Sequence, residues 1–194
     1  MLQLIEGSGP FFYPLLLCSI LGAFIIVERL IALRTSQVMP QRLMDRFLEG
    51  KIEDVVDESV AGRILHYAAT HRPDADQLRA FAQLELSRLE RGLFLLEIVV
   101  SAAPLLGLLG TVTGLVKVFA NISPTTGAPD QGAFVAGVAL ALTTTILGLA
   151  IAIPALVGNL FITRRIDTLA ARLNVGVERL IDGAKLNPAK GRQG

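Results

Sequence analysis

The sequence predicts an all-α membrane protein with three transmembrane helices, the N-terminus outside and long helical extensions in the cytoplasm, and two observations lead there. The 194 residues are 52% hydrophobic and only 18% charged, with a mean hydropathy of +0.57, whereas an ordinary soluble domain carries about 25% charged residues. Three runs also reach the roughly 20 apolar residues needed to cross about 30 Å of hydrocarbon. The same composition excludes other classes. A net charge of +1 with no block of like charges argues against a protein that neutralises nucleic-acid phosphates. One cysteine and two histidines leave no disulfide framework, no thiolate metal site and little for zinc or haem, so neither metal nor cofactor is expected.

The elements follow in order. Residues 1–10 form an uncharged-to-acidic tail, and 11–33 form the first span, broken only near its end by Glu28 and Arg29. No Lys or Arg precedes this run and no small-residue cleavage site follows it, which speaks against a signal peptide. Residues 34–97 are too charged to cross and read as amphipathic helices with a break at His71-Arg72-Pro73-Asp74. After the break, Leu78, Phe81, Ala82, Leu84, Leu86 and Leu89 recur with helical spacing, predicting one helix over 76–96 that continues into the second span, 98–119. The turn-rich segment 120–132 then makes an antiparallel hairpin with the third span, 133–162. In the closing segment, 163–194, Ile166, Leu169, Leu173 and Val177 share one face and extend the third span as a helix. Lys and Arg are absent from 1–10 and 120–132 but frequent in 34–97 and 163–194. Basic short loops stay cytoplasmic, which sets the orientation.

Unusual residues collect in the hairpin. Gly107, Gly110 and Gly114 recur in the second span, as do Gly137, Ala141, Gly148, Ala152 and Gly158 in the third. Such spacings let helix backbones approach closely. The stripes serve helix packing within one subunit or contacts between subunits, and with only three spans to cover them the oligomer contacts are favoured, with Pro104 and Pro154 beside them. Hydroxyls are the second feature: Thr111 and Thr113 in one span, Thr143, Thr144 and Thr145 in the other. A membrane threonine usually returns its hydroxyl to a carbonyl one turn back. Three in a row, however, sweep about 200° of helix circumference, so at least one faces protein or water.

The membrane interior holds no titratable residue, although proton carriers generally need one there. Glu28, Arg29 and Glu97 read as charges anchoring the cytoplasmic interface, and Lys117 can snorkel to the outer headgroups. If this chain conducts protons, another chain supplies the group that binds them. The alternative is a non-conducting oligomeric scaffold, in which the threonines are gratuitous. No nucleophile, metal set or carboxylate pair supports an enzyme.

The segment from Ala103-Pro104-Leu105-Leu106-Gly107 through Gly110-Thr111-Val112 resembles the MotA/TolQ/ExbB proton-channel family. So do Gly137-Val138-Ala139 through Thr143-Thr144-Thr145, Gly148 through Pro154-Ala155, and Glu28-Arg29-Leu30. The ExbB branch is the nearest in pattern. The resemblance implies a homopentamer whose second and third spans line a pore. It also implies an ExbD-like or TolR-like single-span partner, present as two copies that each bring a membrane aspartate, and a TonB-like protein as a further associate. It assigns the pore to Thr111 and Thr145, with Thr113 and Thr144 beside them. Many relatives carry a glutamate where Leu140 stands here, so a second carboxylate is missing from that path.

Overall fold

The computed structural model describes residues 9–33, 57–120 and 131–186, together with Val38, Pro40 and Leu43. Five α-helices account for nearly all of them, and no strand occurs among the described residues. A 3-10 turn, Gly9–Phe11, leads into α1, Phe12–Ala32. Then come α2, Val60–His71, α3, Ala75–Leu89, α4, Leu93–Ala120, and α5, Gln131–Leu186. Helices α1, α4 and α5 are long and apolar enough to cross a bilayer, with mean hydropathies of 2.3, 2.2 and 2.2 over their best windows. Phe24, Phe94, Phe119 and Ile146 are each more than 60% exposed, an outward face fit for hydrocarbon and not for water. The described chain forms two compact units, one of residues 9–27, 92–120 and 131–160, the other of 28–33, 57–91 and 161–186.

In the first unit α4 and α5 are antiparallel, and α1 lies against them. Leu15 of α1 packs with Ala103 and Ala152, flanked by Cys18, Leu106, Leu147 and Ile151. Gly22 sits where a Cβ would come within 3.3 Å of Val99 Cγ1 and 4.0 Å of Ala155 Cβ. One glycine thus lets α1 meet both other helices. Pro104 and Pro154 lie inside α4 and α5, where each removes one backbone donor that a helix would otherwise use.

The second unit is built on capped, amphipathic helices. Ser59 starts α2 by accepting the Gly62 N–H at 3.0 Å, and its own N–H donates to Asp57 Oδ1 at 2.7 Å. Those bonds from Ser59 hold the Asp57 carboxyl below its usual range. Arg72 ends α2 in the left-handed region, φ 45, directly before Pro73, which no helix tolerates at that step. Asp74 and Gln77 then form a reciprocal capping box on α3 at 2.7 and 3.2 Å. Val60, Ile64, Leu65 and Ala68 of α2 are buried, as are Leu78 and Ala82 of α3. Tyr67 stacks on Phe81, ring centroids 4.0 Å apart. Along α5, Ile162, Ile166, Leu169, Leu173, Val177 and Leu180 are all at most 3% exposed. Their three- and four-residue steps are the apolar stripe expected from the sequence.

Two expectations fail here. A single helix over 76–96 is not found, because α3 stops at Leu89 and Gly92 adopts φ 86 before α4 begins at Leu93. Left-handed backbone is cheap for glycine and interrupts the helix. The apolar face of α3 is also displaced: Leu84 is 52% exposed, while Glu85 is 1% exposed. Glu85 receives Arg63 Nε at 2.7 Å and Nη2 at 2.6 Å, and Arg88 Nη1 at 2.6 Å. Both arginines stay partly in water, at 39% and 46%. Stranding a buried carboxylate costs about 3–5 kcal/mol, whereas an apolar replacement is often neutral. The double change Arg63→Met with Arg88→Met is therefore expected to lower the melting temperature more than Glu85→Leu does, followed by circular dichroism in detergent. The reverse order would refute this account of the cluster.

Candidate functional site

The α4–α5 seam is made of residues with almost no side chain. A Cβ on Gly107 would come within 3.0 Å of the Thr144 carbonyl oxygen, one on Gly148 within 2.6 Å of the Ala103 oxygen, and one on Gly114 within 2.5 Å of the Gly137 oxygen. A Cβ on Gly110 would fall on the Thr144 side chain itself. Position numbers rise along α4 as they fall along α5, which fixes an antiparallel register. The stripes assigned to contacts between copies are thus occupied within one chain. Close approach demanded glycine on both helices: Gly107, Gly110 and Gly114 meet the stripe of α5, while Gly158 faces Ile26 of α1.

That register separates the four threonines. Thr144 is fully buried; its hydroxyl lies 2.8 Å from the Leu140 oxygen and 3.1 Å from that of Ala141, and the seam of Gly107 and Gly110 closes over it. It does not line a pore surface in this chain. Thr145 Oγ1 lies 3.2 Å from the Ala141 oxygen and 3.4 Å from the Gly107 oxygen. In an α-helix that Gly107 carbonyl is the acceptor for the Thr111 N–H, so Thr145 and Thr111 are neighbours across the seam. At about 100° per residue, Thr111 stands roughly 60° from the glycine line of α4 and Thr145 roughly 80° from that of α5, in the same sense. For antiparallel helices equal senses fall on one edge. Val99, Leu106, Leu147 and Ile151, which meet or flank α1, are offset in the opposite sense. Thr113 falls on that second edge and donates to the Leu109 oxygen at 2.8 Å.

One edge of the hairpin therefore pairs Thr111 with Thr145, away from α1. Thr111 Oγ1 donates to the Leu108 oxygen at 2.7 Å, and Thr145 uses its hydrogen on a carbonyl one turn back. Each hydroxyl keeps lone pairs free. The edge can accept hydrogen bonds from a protonated acid or from water, and it cannot titrate. Among the described residues of this unit the charged side chains are Glu97 and Lys117, neither level with the threonines.

The remaining predicted charges differ in role. Arg29 is 14% exposed on its side chain, bonded to Glu28 Oε1 at 3.2 Å and to the Leu89 oxygen at 3.4 Å. It satisfies a terminal carbonyl of α3 and does not simply anchor to headgroups. Arg165 Nε does the same for the Leu33 oxygen after α1, at 2.9 Å. Sequence reasoning missed this pair, since the carbonyls they reach are 60 and 132 positions away. Glu28 and Glu97 are exposed.

Three apolar spans, and a hydroxyl edge with no carboxylate level with it among the described residues, define a multi-pass membrane protein. Residues 40–175 match the family model described as the MotA/TolQ/ExbB proton channel family. The biopolymer transport protein exbB1 of Vibrio cholerae is 30% identical over 190 residues, 88% of this chain and 82% of that protein. The biopolymer transport protein ExbB of Helicobacter pylori is 34% identical over 116 residues, 60% of this chain and 77% of that protein. The chain belongs to the MotA/TolQ/ExbB proton channel family, and it is a multi-pass protein of the bacterial inner membrane.

Proposed function

We propose that this chain is the ExbB-like subunit of an inner-membrane motor driven by the proton-motive force. Five copies surround a pore, with residues 1–10 and 120–132 on the periplasmic side and the segments 34–97 and 163–194 in the cytoplasm. Two copies of a single-span ExbD-like or TolR-like partner stand in the pore, each bringing one membrane aspartate, and the work passes through a TonB-like protein to the envelope. The observation that carries this reading is the pairing of Thr111 with Thr145 on one edge of the hairpin, at a level with no carboxylate among the described residues. Their free lone pairs suit the protonated form of an acid supplied by the partner, which donates one hydrogen bond and loses its charge. Each proton moved down 100 mV releases about 2.3 kcal/mol, enough for a few protons to outweigh the difference between two rotational states.

The test is purification of the complex from native membranes in mild detergent, with identification of the small proteins that accompany it by mass spectrometry. A stoichiometric single-span partner with an aspartate near the start of its membrane helix is the expected result. An oligomer without such a partner would overturn the motor and leave the scaffold.

A further inference from the structure

We infer that Glu97 and Asn159 form the inner exit of the proton path, where Glu97 takes up each proton and hands it to cytoplasmic water; this rests on the reading of the threonine edge as that path. The two residues continue the edge by seven-residue steps, Thr111 to Pro104 to Glu97 on α4 and Thr145 to Ala152 to Asn159 on α5. Seven residues fall only about 20° short of two turns, so each series stays on one edge. The register of the seam sets 111 level with 145, 104 with 152 and 97 with 159. Gly22, meeting Val99 and Ala155 together, shows that α4 and α5 hold this register to within a turn or so of the third pair.

The first and third pairs offer oxygen, while in the middle one Ala152 is buried with Leu15 and Ala103. The middle one is small, and Pro104 lacks the N–H that the Val100 carbonyl would otherwise accept. At the third, the Asn159 amide oxygen is buried with no hydrogen-bond partner among the described residues. Buried acceptors are normally satisfied, so this one calls for a further donor, for which a water molecule serves. Glu97, level with it in that register, is exposed and is the one carboxylate among the described residues of its unit. A hydronium reaching this level gives its proton to the Glu97 carboxylate, leaving water and the carboxylic acid. The acid then gives the proton to bulk water, restoring carboxylate and hydronium, while Asn159 Oδ1 accepts a hydrogen from the intervening water and positions it.

The experiment measures proton flux through the complete complex in liposomes under an imposed potential, using an internal pH dye, with subunit composition checked by native mass spectrometry. Glu97→Gln is expected to lower flux on the order of a hundredfold, and Glu97→Asp to retain most of it. Formate in the inner compartment should restore flux to Glu97→Ala but not to Thr145→Val. Asn159→Leu should lower flux, whereas Asn159→Asp, which keeps an oxygen, should not. Loss of flux in Thr145→Val with wild-type flux in Glu97→Gln would overturn the exit and leave the path standing. Loss in Glu97→Ala without rescue by formate would also overturn it, since a merely structural carboxylate behaves that way. Wild-type flux in Thr145→Val would remove the path and the exit together.

Discussion

Thr145→Val is expected to abolish proton-driven work while the complex still assembles. Valine keeps the branched shape that packs beside Gly107 and removes only the oxygen. The hydroxyl hydrogen is already committed to a carbonyl of Ala141 or Gly107, so folding loses a local back-bond of small worth. What disappears is an acceptor on the edge that we propose faces the pore. A protonated acid at the Thr145 position then loses its nearest acceptor and is left with Thr111 across the seam, and an unmade hydrogen bond in a dry site costs about 1–3 kcal/mol. A motor repeats that cost at every step, so the loss compounds. Thr145→Ser should retain most of the work. Transport into whole cells, read beside the yield of assembled complex, separates the outcomes: an active Thr145→Val complex would refute the role, and loss of activity in both Val and Ser variants would point to packing instead.

The second large effect is expected at Gly110. Alanine in an exposed helix is worth about 1 kcal/mol over glycine, yet here Gly110→Ala should destabilise, because its Cβ would overlap the Thr144 side chain. Overpacking of this kind costs typically 1–3 kcal/mol, and the backbone beneath Thr144 has no room to withdraw while Gly107 and Gly148 touch. Thr144→Gly opens that space. Combined with Gly110→Ala it should recover more stability than the two single changes sum to, a coupling of about 1 kcal/mol or more. The heat resistance of the detergent-solubilised complex, followed by size-exclusion chromatography, measures all four corners of the cycle. Strict additivity would mean that the two positions do not touch.

The sequence displayed the fold wherever a long pattern repeats. Three bilayer-length apolar runs and the 3- and 4-residue steps from Ile166 to Val177 correspond to α1, α4 and α5 and to the buried stripe along α5. Features set by one residue's environment were illegible. Gly92 looks the same in sequence whether its φ is negative or 86, so the break before α4 was unreadable. Glu85 occupies the step after Leu78 and Ala82, where an apolar residue was due; Leu84 beside it drew the face one position too early. In the site, glycine and threonine spacing located the hairpin's chemistry. Which hydroxyl lies in the seam and which on the open edge depends on the register of two helices. That register is a pairwise property, and neither span states it alone.

The bare seam has a mechanical consequence. Gly110 meets Thr144 so closely that even a methyl group does not fit, and one turn along α5 in either direction the seam holds a smaller residue, Ala141 or Gly148. For α4 to slip past α5 by one turn, about 5.4 Å, the Thr144 side chain would have to leave its notch at Gly110 and ride over the α4 backbone. The two helices are keyed like a shaft in its slot. A thrust applied to either one is borne as shear by both, so Thr111 and Thr145 stay level under load.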